Sequence, residues 1–318
     1  MEFQPLQSFY GASASVIERV GRVYPAAIEP LRASVERLTR ASAEDLWIEP
    51  ELRAAGEAHL QAVAKRSPTM HDGRILAFTT IQGFPLEYIS AGYFDAIATS
   101  DSLRAEYLRA SGSITDLSRL PLRHLAHRAA GGDPLHSGRG RVSAVGVSVA
   151  VTVPLGSTLA VVMGRRNEQV ATDPGMWHIA PSGTLEPAPG DAVIELVRRE
   201  LSEELGIELP SPNRLTERLK TLGVGHDLLR LRPEICLRLD LEEGEYHTDG
   251  PRLTPREFQD RALIELSIDG LEDFWRTHPP QTLAPAAAAA IALLEGDRGP
   301  RKAAMGPGAS PPRGHRWQ

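Results

Sequence analysis

The sequence predicts a chain of the α/β (α+β) class, and three observations carry that expectation. Val145, Val147, Val149, Val151 and Val153 alternate with small residues, which is the two-residue period of a strand. Residues 75–81 and 86–90 are two further apolar runs of strand length. Val193, Ile194, Leu196, Val197, Leu201 and Leu205 instead fall on one stripe at helical spacing.

Taken in order, Val16, Val20, Val23 and Tyr24 suggest a helix, broken near Pro25 and Pro30. Leu31, Val35 and Leu38 suggest a second apolar helical face, and residues 51–65 a third. Asp72-Gly73 is a turn dipeptide ahead of the two strand-like runs. Residues 107–130 carry a weaker helical pattern, and the glycines and proline of 130–141 mark a loop or linker. Residues 142–164 contain no charge and are long enough to cross a bilayer. The valine alternation, the turn signal of Pro154, Gly156 and Ser157, and the run 159–163 favour a hairpin. Residues 177–179 are expected as a strand leading into Pro181-Ser182-Gly183, and 215–225 and 233–241 as further strands. The alanine run in 285–294 predicts a helix. The expected division is therefore an N-terminal α+β extension over 1–139, a main domain over 140–297, and a disordered tail over 298–318.

Composition excludes several classes. At 42% hydrophobic and 24% charged residues the chain has material for a core. A formal net charge of -6 provides no global field for nucleic acid or an anionic membrane, so neither is an expected partner. The single cysteine, Cys236, rules out an internal disulfide framework. Residues 1–11 lack a basic start followed by an apolar run, so no secretory signal is expected, and the predicted location is cytoplasmic.

The chemistry lies in Arg199-Glu200-Leu201-Ser202-Glu203-Glu204-Leu205-Gly206-Ile207. Asp191 is placed to cap this helix and Gly206 to end it. Glu200, Glu203 and Glu204, related as i, i+3 and i+4, then share one narrow sector. Like-charged pairs there cost about 0.2–0.5 kcal/mol each, and they sit at the unfavourable end of the helix dipole. A divalent cation reverses that sign, because Mg2+ takes carboxylate oxygens together with substrate phosphates. A solvated acidic face is the ordinary explanation of such a charge run. The full pattern, however, recurs by chance in about one chain of this length in a thousand, which favours the metal.

This run resembles the second half of the Nudix box: Arg, Glu, apolar, any, Glu, Glu, any, Gly, apolar. The first half is similar with two departures. Asp191 stands eight residues before Arg199 where the family has Glu, and Gly183 lies two residues further upstream than the family spacing. The resemblance covers about 140–297 and implies an α/β/α sandwich around a mixed sheet. It implies Glu200 and Glu204 as metal ligands, Glu203 as a further ligand or a participant in water activation, and the Ser182 carbonyl as a ligand. It implies Arg199 orienting a glutamate through a bidentate pair. The implied cofactor is Mg2+, with Mn2+ as the alternative. The implied reaction is attack of metal-activated water on a small-molecule diphosphate, in a nucleoside diphosphate derivative such as a nucleotide sugar. The base among the glutamates is left open. Some larger members, including ones that cleave UDP-glucose, look similar in carrying an N-terminal extension that shapes the substrate site or a homodimer. The aromatics Tyr88, Tyr93 and Phe94 fall in such a region here.

Other candidates stand beside ordinary explanations. Arg165 and Arg166 are phosphate ligands or a solvated strand end. Trp177 stacks on a base or, by preference, packs in the core. His124 and His127 have metal-ligand spacing without a completing carboxylate nearby. His226 reads as a satisfied loop histidine, and Cys236 as buried and inert. No nucleophile elbow, phosphate loop or dinucleotide fingerprint is present. Two alternatives to the hydrolase stay open: a prenyl-diphosphate isomerase of the same family, which needs a thiol in the pocket, and a non-catalytic binding module of that fold.

Overall fold

The computed structural model describes residues 3–67, 70–110, 119–208, 212–246 and 252–297. The expected tail over 298–318 lies outside them. The chain begins with helix α1 (Gln4–Tyr10) and strands β1 (Ser15–Arg19) and β2 (Arg22–Glu29). The helix expected around Val16 and Tyr24 is therefore a hairpin. Val20 and Gly21 both adopt left-handed conformations, φ 48° and 67°, between the paired Arg19 and Arg22. That geometry makes the tight turn that matches strand twist. Val23 and Ala27 then face one core, and Tyr24 and Ala26 another.

The second expected helix is also absent. Val35–Arg37 makes one 3-10 turn before β3 (Thr39–Ala41), and Val35 and Leu38 reach the core from irregular chain. Helix α2 (Pro50–Arg66) and strands β4 (Arg74–Thr80) and β5 (Leu86–Gly92) lie where the sequence puts them. A helical stretch follows, α3 (Tyr93–Ala96), a π segment (Ile97–Asp101) and α4 (Ser102–Ala110). Helix α5 (Pro121–Ala129) is separate, so the weak pattern over 107–130 covers two helices.

The remaining elements are β6 (Gly146–Leu155), β7 (Thr158–Arg166), β8 (Trp177–Ile179), β9 (Ser182–Thr184), α6 (Ala192–Leu205) and α7 (Pro212–Arg218). After them come β10 (Lys220–Asp227), β11 (Arg232–Asp240), β12 (Phe258–Glu265), α8 (Ile268–Thr277) and α9 (Pro285–Asp297). The strand expected over 215–225 thus begins as a helix. The uncharged stretch is the β6–β7 hairpin, and no helix among the described residues is long and apolar enough to cross a membrane.

One nine-stranded sheet runs β1-β2-β10-β11-β6-β7-β12, with β8 on β7 and β9 on β6. Among the described residues, only the β6–β11 pair of its strands is parallel, so the sheet is mixed. The first thirty residues thereby share a sheet with the C-terminal half through β2 and β10. Strands β3, β5 and β4 form a separate small sheet.

Strand alternation sorts two cores. Val147, Val149, Val151, Ile235 and Leu237 meet Val193, Leu196, Val197 and Leu201 of α6. Ala150, Val161, Met163 and Cys236 meet Leu271 of α8 and the alanine face of α9 on the opposite side. The result is helix, mixed sheet, helix, as the resemblance implied.

Helix α6 is closed at both ends by local chemistry. Asp191 Oδ1 accepts from the N–H groups of Val193 (2.9 Å) and Ile194 (3.1 Å). Gly206 ends the helix at φ 64°, where its N–H reaches Leu201 and Ser202 carbonyls. Replacing Asp191 with Ala orphans two amides, and we expect a loss of about 1 kcal/mol. A thermal melt reads it, and an unchanged Tm would contradict the capping role.

Candidate active site

Helix α6 presents its three glutamates unequally. Glu204 is buried, at 2% exposure, Glu200 is largely buried, and Glu203 is exposed. The inward pair faces strand β9, where Gly183 permits close approach. A Cβ on Gly183 would meet Leu196 Cδ1 at 2.9 Å and Glu200 Oε1 at 3.1 Å. The neighbouring Ser182 donates its N–H, not the carbonyl expected as a ligand, to Glu204 Oε2 at 3.2 Å. The other carboxylate oxygen, Glu204 Oε1, is buried without a hydrogen-bond partner.

Arg199 lies beside Glu200. Its Nε and Nη2 donate to Glu200 Oε1 at 3.3 and 3.1 Å, and its Nη1 donates to Glu186 Oε2 at 3.0 Å. The fork therefore grips a single oxygen of Glu200 rather than both. Asp191 is occupied as the helix cap. The loop between β9 and α6 forms one wall of a cavity of about 420 Å3, lined by Glu186, Ala188, Glu195, Arg198, Arg199 and Glu203. The cavity opens on the exposed flank of α6, beside Glu203.

A fourth carboxylate, Glu257, was not visible in the sequence pattern. Thr254 anchors its loop: the Thr254 N–H donates to the Glu204 carbonyl at 2.9 Å, and its hydroxyl donates to the Glu203 carbonyl. Glu257 lies 3.9 Å from Arg166 Nη2, and its negative charge reaches both inward glutamates. No motif marks it, because it lies 53 residues beyond Glu204 and enters only by loop packing.

Burial pushes Glu204 well above the usual carboxylate range, and the charges of Glu257 and Glu200 push it further. Burial raises Glu200 to about 7 against the opposing pull of Arg199, with Glu257 and Glu203 adding repulsion. Burial and mutual repulsion disfavour the charged forms of these carboxylates, and a divalent cation would reverse that sign. The partnerless Glu204 Oε1 and the all-oxygen donor set fit a hard divalent ion. The carboxylates are not drawn tightly together, however. Among the described residues, the one group of three ligand atoms within 4.8 Å of one another is Glu29, His136 and His226.

The raised Glu200 value sets a pH test. The unfolded carboxyl titrates near 4.5 and the folded one near 7, so the metal-free fold binds the extra proton between these values. Its stability contribution is therefore lost as pH rises through that window. Metal binding needs the deprotonated form and so strengthens over the same range. We expect the Mg2+-induced rise in Tm to be larger at about pH 8 than at about pH 6. Equal shifts at both would refute the assignment.

The other sequence candidates separate. Arg166 points to the cluster, its guanidinium over the Phe258 ring and its charge lowering Glu204, whereas Arg165 is exposed and donates to the Gly175 carbonyl. Trp177 packs with the α9-side core and edge-on to His278. His127 bonds the Tyr10 hydroxyl at 2.9 Å, and burial beside Arg123 lowers it to about 4. His124 joins no ligand cluster among the described residues. His226 is not a loop residue: it is buried in β10 and bonds Glu29. Cys236 is buried on the α9 face of the sheet, opposite α6, and burial raises its thiol pKa.

No family model matches the sequence, and no curated protein matches it. Among solved structures, the chain is similar to DR0079 from Deinococcus radiodurans, at 14% identity over 48% of this chain and 81% of that one, TM-score 0.33. It is also similar to the NUDIX domain of Shewanella oneidensis NrtR, solved with ADP ribose, at 17% identity over 50% and 88%, TM-score 0.36. A third is a C. elegans Ap4A hydrolase binary complex, at 16% identity over 43% and 92%, TM-score 0.27.

Proposed function

We propose that this chain is a Nudix-type, Mg2+-dependent hydrolase that cleaves a diphosphate linkage in a nucleoside diphosphate derivative. The observation that carries the proposal is the buried, partnerless Glu204 Oε1 on the helix that bears the box residues, with the charges of Glu200 and Glu257 converging on it. Glu200 and Glu204 would hold the ion, together with the Ser182 carbonyl, and Glu203 and Glu257 are the further carboxylates at hand. When bound, Mg2+ (or Mn2+) supplies charge neutralisation for the diphosphate and acidifies an attacking water.

The chain's own residues do the rest. Arg199 holds Glu200 in place from the cavity side while tying it to Glu186 on the longer loop. Arg166 beside Glu257 and Arg198 on the cavity wall bring positive charge toward a phosphate-bearing substrate. Thr254 fixes the position of the Glu257 loop against the end of α6. Residues 1–139 act as a substrate-shaping layer in this proposal. Strand β4 of that region bonds the box loop, Leu76 N–H to the Leu185 carbonyl at 2.8 Å, and Phe84 and Tyr88 pack on the α6-side core.

The isomerase alternative loses its support because Cys236, the one thiol, is buried on the far face of the sheet. The test is release of phosphate and nucleotide from nucleotide sugars, ADP-ribose, dinucleoside polyphosphates, nucleoside triphosphates and CoA, with and without Mg2+. Metal-dependent turnover of one class supports the proposal and names the substrate. Tight binding without turnover of any compound would overturn it in favour of a binding module.

A further inference from the structure

Away from the α6 glutamates, three side chains from distant parts of the chain converge on one point. Glu29 is the last residue of β2, and His226 sits on β10, the strand beside it. The register pairs Val224 with Glu29 and His226 with Ala27, so the two side chains lie on one face, diagonal to each other. His136 arrives from the turn after α5. That turn is held by the Ile81 N–H on the His136 carbonyl (3.0 Å) and the Ser137 N–H on the Asp133 carbonyl (3.1 Å). Glu29 Oε1 lies 2.6 Å from His136 Nε2 and 2.8 Å from His226 Nε2.

We propose that Glu29, His136 and His226 form a metal site for a zinc-class dication, separate from the α6 carboxylates, with two imidazole nitrogens and one carboxylate oxygen as ligands. Nitrogen and oxygen donors in this combination suit Zn2+ and its transition-metal neighbours rather than Mg2+. All three ligand atoms already lie within 4.8 Å of one another. Behind His136, Asp133 takes up Nδ1, with its oxygens at 2.8 and 3.0 Å. A carboxylate in that place fixes the imidazole with Nε2 facing the ion, the arrangement that supports metal-bound histidines. His226 is 1% exposed and set on a strand, so its ring is held rigidly before any ion arrives.

Access and a vacant position are also present. Glu29 and His136 are each about a quarter exposed. A cleft of about 390 Å3 has Glu29 among its lining residues, with Gly11, Ser15, Ile28 and Pro30. Three protein ligands leave a fourth position for water. Without an ion the three side chains hydrogen-bond to one another through Glu29 Oε1. A dication bound there would take over the neutralisation of Glu29, and any imidazolium proton it displaces leaves to solvent. Bound there, it ties the 133–137 turn to the sheet.

The test uses the full chain carrying Glu204→Gln, so that the α6 carboxylates do not compete, freed of metal by a chelator. Zn2+ alone is titrated by calorimetry, and Co2+ alone by its visible absorption. The expected result is one equivalent bound, with nitrogen-ligand bands for Co2+ and a raised Tm. In that background His136→Ala and Glu29→Gln should weaken binding by more than about 100-fold, and Asp133→Asn by about 10-fold. His226→Ala should behave like His136→Ala. If burial makes that variant unfold, the two partly exposed ligands decide. Absence of a bound equivalent, or affinities within twofold across these variants, would overturn the site and leave a hydrogen-bonded crosslink.

Discussion

Glu204→Gln is expected to abolish metal-dependent turnover while leaving the fold intact or more stable. Glutamine keeps the shape and can still accept from the Ser182 N–H, so the β9–α6 contact survives. It removes a carboxyl that burial and the charges of Glu257 and Glu200 already hold far above its ordinary value. The metal-free variant should therefore melt no earlier than the wild type. The negative oxygen offered to a cation is lost, and kcat should fall at least about 100-fold, the upper end of what losing a mere supporting partner costs. The Mg2+-induced rise in Tm should shrink with it. A variant that loses activity by melting early would show Glu204 to be structural. One that keeps activity would remove it from the chemistry.

Arg230→Met is expected to be the most damaging substitution outside the candidate active site. Arg230 is 2% exposed and bonds three carboxylates from three places. Its Nε donates to Asp101 at 2.6 Å, its Nη1 to Asp227 at 2.7 Å and its Nη2 to Asp173 at 2.9 Å. Asp101 ends the π segment, Asp227 ends β10, and Asp173 belongs to the β7–β8 connection. Methionine fills similar volume but strands Asp227 without its cation and leaves Asp173 only Arg104, at 3.4 Å, both carboxylates being 3% exposed. Breaking a buried ion pair from one side costs about 3–5 kcal/mol, which corresponds to a fall in Tm on the order of 10 °C.

The pH dependence distinguishes charge from packing. In the wild type burial opposes ionisation of Asp173, but Arg230 and Arg104 hold it well below 3.8. Its stability contribution is fully present above that value and lost as pH falls further. In the variant burial acts with less opposition and raises the carboxyl, so acidification relieves the penalty. The gap between the two proteins should be widest near neutrality and narrow toward about pH 4. A gap independent of pH would assign the effect to packing alone.

Much of the candidate site is legible in a short stretch of sequence because its determinants are local. The stripe of α6, the Asp191 cap, the left-handed Gly206 and the i, i+3, i+4 glutamates all act within one or two turns of helix. The β6–β7 and β4–β5 hairpins are legible for the same reason, since alternation and a nearby turn fix them. The error at Val16–Tyr24 marks the limit of this logic. Four apolar residues fit a helical stripe, yet the Val20-Gly21 turn, not their spacing, decides.

By itself, then, the sequence determined the α/β class, the helix with its three carboxylates and the two-residue alternation of the valine strand. Only the tertiary structure decided which carboxylates turn inward, that Glu257 joins them, and that Cys236 faces away. It alone brought Glu29, His136 and His226 together across separations of 107 and 197 residues. The physical reason is the range of the forces involved. Helix periodicity and capping act over a few residues, whereas these meetings depend on strand register and loop packing. A shift of one residue would turn Ile235 to the α9 side and Cys236 to the α6 side, and no local window encodes which occurs.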